Sequence, residues 1–108
     1  MFCDLVGSTA LSGRLDPEDL SEVISAYQNC VAEVIRPFGG FIAKYMGDGV
    51  LVYFGYPEAH EDDGARAVRS ALALADAVGR LDAMAEKMKV RIGIATGLVV
   101  VGDLVDRV

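Results

Sequence analysis

The chain reads as an α+β fold, a ferredoxin-like βαββαβ sheet with its helices on one face. Three observations predict it: two stretches repeat apolar residues at helical steps, short β-branched runs flank both, and an Asp-Gly turn joins two of those runs. Phe2 to Val6 is the first strand, and Ala10 to Arg14 makes a helical turn. Asp16-Pro17-Glu18-Asp19 then opens a helix, with Asp as cap, Pro at the first helical position and acids where the macrodipole favours them. Leu20, Val23, Ile24, Tyr27, Val31, Val34 and Ile35 carry its apolar face as far as Pro37 and Gly39-Gly40, so the helix spans 17–36. Phe41 to Met46 and Val50 to Gly55 are the next two strands, a hairpin about Gly47-Asp48-Gly49. After Pro57 a second helix runs from Glu61 to near Met88, with Ala65, Val68, Leu72, Ala75, Val78 and Leu81 on one stripe. Lys89 to Thr96 alternates as a fourth strand, Val90, Ile92 and Ile94 on one face and Arg91 and Gly93 on the other, and Leu98 to Val101 follows as a fifth.

This order is the split βαβ pattern. Two right-handed crossovers place both helices on one face, with the first strand central and antiparallel to the third. Asp4, near the end of the first strand, is thereby brought close to Asp48, at the start of the third.

Composition narrows the function classes. With 108 residues the chain forms one domain at most, and no apolar run approaches the roughly 18 residues of a membrane span. A net charge of −6 argues against a nucleic-acid surface, which needs clustered Lys and Arg. Cys3 and Cys30 make neither a disulfide framework nor a CxxC site, so a reducing cytoplasm is expected. The sequence has no basic and apolar leader, and beginning at MFCDLV it reads as a fragment whose first strand is clipped.

The chemistry concentrates at Asp4 and Asp48. A carboxylate inside Phe-Cys-Asp-Leu-Val either caps the following turn or belongs to a site, and Asp48 is either a plain hairpin residue or its partner. Two carboxylates at one sheet edge repel unless a cation lies between them. Mg²⁺ suits the pair, because it takes one or two carboxylates plus substrate phosphates rather than a protein cage. Gly7-Ser8-Thr9, which follows directly, is either a helix cap or a turn whose free N–H groups favour phosphate.

The segments FCDLVGST, KYMGDGVLVYFG, AHEDDGARAV and VRIGIATGLVVVGDLV resemble the class III adenylate/guanylate cyclase catalytic domain, in the family's order and over nearly the whole chain. The resemblance implies a nucleotide cyclase, palm-like in fold, that turns ATP into 3′,5′-cyclic AMP and pyrophosphate in intracellular signalling. It implies two Mg²⁺ or Mn²⁺ ions held by Asp4, Asp48 and the Leu5 carbonyl, and a triphosphate cradled by the backbone of Val6, Gly7, Ser8 and Thr9. Lys44 would read the base in the partner subunit's site of a head-to-tail homodimer, and a donor there favours adenine over guanine. It further implies that 1–108 is a partial catalytic domain. The segment bearing a second base reader, a transition-state arginine and a ribose-orienting asparagine is expected after Val108, and Asp103, Asp106 and Arg107 do not stand in its context. Two alternatives share the chemistry's neighbourhood: a catalytically silent nucleotide-binding or dimerisation module, and a diguanylate-cyclase palm, which would need a Gly-Gly-Asp/Glu-Glu-Phe turn where Gly47-Asp48-Gly49 stands.

Other signals read as structural. His60-Glu61-Asp62-Asp63 are consecutive residues at a helix start and point in different directions, which suits capping better than metal binding. No P-loop and no Gly-x-Gly-x-x-Gly helix opening occurs. Arg91, opposite the apolar strand face, reads as structural or interfacial.

Overall fold

The computed structural model describes residues 1–83 and 86–101, with the side chains of Ser8, Thr9 and residues 82–87 outside that description; Asp103, Asp106 and Arg107 also lie outside it. In chain order the elements are β1 (Phe2–Leu5), α1 (Ser8–Arg14), α2 (Pro17–Ile35), β2 (Phe41–Met46), β3 (Gly49–Tyr53), α3 (Asp63–Arg80), β4 (Asp82–Ala83), β5 (Glu86–Lys87) and β6 (Val90–Gly93). A 3₁₀ turn, Arg36–Phe38, extends α2. The main sheet has the order β2-β3-β1-β6 with every neighbour antiparallel, so β1 is central as expected.

Local chemistry explains the first half closely. Asp16 caps α2 by accepting from the Asp19 N–H at 2.8 Å, with Pro17 in the first turn. Val23, Tyr27, Val31 and Ile35, four residues apart, are fully buried. They meet Cys3, Leu5, Val50 and Val52 from the sheet and Leu74 and Val78 from α3 in one core. After the 3₁₀ turn, Gly39 takes a left-handed φ of 83° and donates to the Arg36 carbonyl, which ends the helix and frees the chain to enter β2.

Three expectations fail, each for a physical reason. The buried stripe of α3 is Ala67, Ser70, Leu74 and Val78, while Val68 is 50% and Leu72 70% exposed. This Ala-rich helix offers helical spacing on more than one face, and Ser70 fits the core by donating its hydroxyl to the Ala67 carbonyl at 2.8 Å. The helix stops at Arg80 rather than near Met88, because Gly79 and Asp82 weaken its last turn and Leu81 is already extended. Met88 is buried from a non-helical segment that follows the short β4–β5 ribbon. Finally, the last strand of the sheet covers only Val90–Gly93, and Leu98 to Val101 forms no strand. Among the described residues nothing lies beyond β6 for it to pair with.

Candidate functional site

Register divides the sheet into two chemically distinct faces. Cys3 lies opposite Val50 and Ile92, and this row points at the helices. One residue on, Asp4 lies opposite Gly49 on β3 and Arg91 on β6, so these side chains project from the face that no helix covers. Phe2, paired with Leu51 and Gly93, shares that open face.

The topology therefore does what the pairing of first and third strands requires. Asp4 is set beside Gly49, the residue after Asp48, and both carboxylates sit at the same end of the sheet. A Cβ on Gly49 would come within 2.8 Å of the Phe2 ring, so glycine is what lets the two strands meet closely here. Gly47, at φ 60°, supplies the left-handed turn before Asp48. The Gln28 side-chain amide, on α2, donates to the Gly47 carbonyl at 3.1 Å and fastens this turn from the helix side.

Lys44 reaches the open face through an irregularity. Between Ile42, paired with Val52, and Lys44, paired with Leu51, the β2 register shifts, leaving Ala43 as the extra residue. Strict alternation would have turned Lys44 toward the helices; the bulge puts it in the row of Leu51 and Phe2, exposed.

The half-exposed Asp4 carboxylate faces the Arg91 guanidinium, with Nε to Oδ1 at 3.3 Å and Nη2 to Oδ2 at 3.5 Å. Arg91, read from the sequence as structural or interfacial, thus lies beside a candidate site residue. Its alternation had already assigned the correct face; the missing signal was the register that sets it across from Asp4. No hydrogen bond or ion pair reaches the half-buried Asp48 carboxylate among the described residues. Beneath the site, burial pushes the Cys3 thiol up to about 11, so it stays protonated.

The turn after β1, expected to cradle phosphate, opens α1 directly. Gly7, left-handed at φ 79°, precedes α1 with no side-chain cap, and the first-turn N–H groups of a helix have no intrahelical acceptor. The Val6 N–H, however, donates to the Lys89 carbonyl at 2.9 Å and is engaged in the sheet. Gly7, Ser8 and Thr9 are left to supply donors; the Ser8 and Thr9 side chains lie outside the described residues. The Leu5 side chain is in the core, which leaves only its carbonyl for the site.

The acidic run before α3 is structural, as expected. The Asp63 carboxylate accepts from the His60 N–H at 2.8 Å, and Asp62 pairs with Arg66 one turn on at 2.9 Å, which holds its carboxyl below the usual range.

Residues 1–107 match the family profile of the adenylate and guanylate cyclase catalytic domain. The chain belongs to that family. It is 35% identical over 91% of its length to a protein of Streptomyces coelicolor named adenylate cyclase, of which it spans 23%. Among solved structures it resembles the guanylyl cyclase Cya2, with a TM-score of 0.77 and 33% identity, covering 82% of this chain and 48% of that one. It also resembles the guanylate cyclase domain of RhGC from Catenaria anguillulae in complex with GTP, with a TM-score of 0.81 and 27% identity, covering 95% of this chain and 59% of that one. The chain therefore spans about half of these cyclase structures and about a quarter of the curated relative.

The cyclase family implies divalent cations, and the donor set fits them in a specific way. Among the described residues no group of three or more His, Cys, Asp or Glu side chains could hold a metal alone. Two half-buried carboxylates at one edge suit a hard ion that completes its shell with water and substrate phosphates. Among the described residues no helix is long and apolar enough to cross a membrane.

Proposed function

We propose that the chain is the catalytic module of a nucleotidyl cyclase that converts ATP to 3′,5′-cyclic AMP and pyrophosphate in cytoplasmic signalling. One observation carries this reading: the Asp4–Gly49 register sets Asp4 and Asp48 at the same end of the sheet. In the reaction the ribose 3′-oxygen bonds to the α-phosphorus and the bond from that phosphorus to the departing pyrophosphate oxygen breaks.

Asp4, Asp48 and the Leu5 carbonyl would hold two Mg²⁺ or Mn²⁺ ions. When bound, these supply a lower pKa for the attacking hydroxyl and charge neutralisation for the leaving phosphates. The chain's own residues bind and orient. The N–H groups of Gly7, Ser8 and Thr9 receive phosphate oxygens at the start of α1. Arg91 neutralises the Asp4 carboxylate, and its guanidinium would turn to the anionic substrate where that carboxylate is engaged by a metal ion. Lys44 donates to the base in the partner's site of a head-to-tail homodimer.

Support for the dimer is the open face itself, where Phe2 and Met46 are each 39% exposed near the site and Phe41 is 42% exposed at the far end of β2. ATP is favoured over GTP by the Lys44 donor and by the Streptomyces relative's name. The test is incubation with ATP and GTP in parallel, each with Mg²⁺ or Mn²⁺, and identification of the product by mass spectrometry. With the full-length protein as the sample, cyclic AMP as the main product supports the reading, and intact nucleotide under all four conditions overturns it.

A further inference from the structure

Tyr27, on α2, is fully buried, and its hydroxyl has no hydrogen-bond partner. Such orphans are rare, because a buried hydroxyl without a partner is destabilising relative to a phenylalanine of the same shape. The neighbours that bear on this phenol indicate where a partner could come from. Burial raises its pKa most, and the charges of Cys3, Asp4, Asp48 and Cys30 act in the same direction. Cys3 and Cys30 are weak acceptors. Both oxygens of Asp4 face Arg91 on the sheet side away from α2. Asp48 is different: its carboxylate has no partner, and its turn is held to α2 by Gln28, the residue after Tyr27.

We propose that the Tyr27 hydroxyl is a positioning residue for the cation site, donating from below to the Asp48 carboxylate oxygen that does not face the ion. The proposal rests on the assignment of Asp48 as a metal-holding residue. The half-buried Asp48 carboxylate and the Tyr27 hydroxyl are thus both without a hydrogen-bond partner among the described residues. With a cation bound, Asp48 has one fixed orientation, and the phenol fixes it from the protein side. Partners of this kind in other metal sites are worth about 10- to 100-fold in affinity.

The test compares wild type, Y27F and D48N by Mn²⁺ titration without nucleotide, followed by the electron paramagnetic resonance signal of free Mn²⁺, and by thermal melting of the metal-free proteins. Y27F is expected to bind Mn²⁺ about 10- to 100-fold more weakly while melting, metal-free, at the same temperature as wild type or higher. A merely structural tyrosine would lower the melting temperature instead. Mn²⁺ is also expected to shift wild-type tyrosine absorbance to the red, a change that Y27F lacks. Y27F binding within twofold of wild type, while D48N loses the ion, overturns the role of Tyr27 and leaves Asp48 standing. D48N binding as tightly as wild type overturns the metal site and this proposal with it.

Discussion

Replacing Arg91 by glutamine separates the two tasks assigned to that side chain. Its guanidinium contacts Asp4 at 3.3 and 3.5 Å, and the side chains are 71% and 28% exposed. Long, largely solvated pairs of this kind contribute about 0.2–1 kcal/mol. A cation that takes Asp4 must give up that same interaction, so its removal strengthens Mn²⁺ binding to the free protein by the equivalent factor, about 1.4- to 5-fold. Stability falls by the same small amount. With nucleotide present the sign reverses, because a positive charge has been lost next to the triphosphate. Mn²⁺ titration with and without a non-cyclisable ATP analogue, together with urea denaturation, measures all three quantities. Weaker Mn²⁺ binding to free R91Q, or a stability loss above about 2 kcal/mol, would refute the view that Arg91 is a displaceable counter-charge.

Three further outcomes follow from the packing. Cys3 is fully buried with its thiol raised from 9.0 to about 11, so between those values the unfolded chain releases a proton that the folded chain keeps. The Cys3 contribution is complete below pH 9 and declines by up to about 1.4 kcal/mol per unit toward pH 11, so the fall is steeper in wild type than in C3A when urea midpoints are compared; Cys30 and Tyr27, also raised by burial, leave a residual slope in both. Half-buried Cys30 should react with iodoacetamide at pH 8 well before Cys3, read by peptide mass spectrometry. At Gly40 an added Cβ would overlap Ile35 Cγ2 and press on Phe54 and Val52 at 3.0 and 3.1 Å. G40A should therefore cost about 1–3 kcal/mol by urea denaturation, and a loss under about 0.5 kcal/mol would show that the core yields there.

How much was legible in the sequence depended on how many alternatives each segment allowed. In α2 the large residues Val23, Tyr27, Val31 and Ile35 fall on one face, and the cap at Asp16 is explicit, so phase and start were both readable. The Asp-Gly hairpin and the two crossovers then dictated that Asp4 and Asp48 converge, which is the core of the candidate site. Failure came where composition was permissive. The alanines of α3 fit several stripes, and its true phase is set by packing on α2 and by a back-bonded Ser70 that no hydrophobic pattern includes. The bulge at Ala43 that turns Lys44 outward, and the pairing of Arg91 with Asp4, depend on register, which is a property of two strands at once. Nor does a tyrosine at a core position announce whether its hydroxyl has a partner.

The central claim, that Asp48 holds catalytic cations while Lys44 serves the partner's site, is tested most directly by mixing two inactive variants. Introduced separately into the full-length protein, D48N and K44A should each leave it nearly inactive in the Mn²⁺-ATP cyclisation assay. Random reassortment makes half of the dimers mixed, each with one intact site of two, so the mixture should recover about one quarter of wild-type activity. Wild-type turnover in D48N alone, or a mixture no more active than its components, would contradict the account.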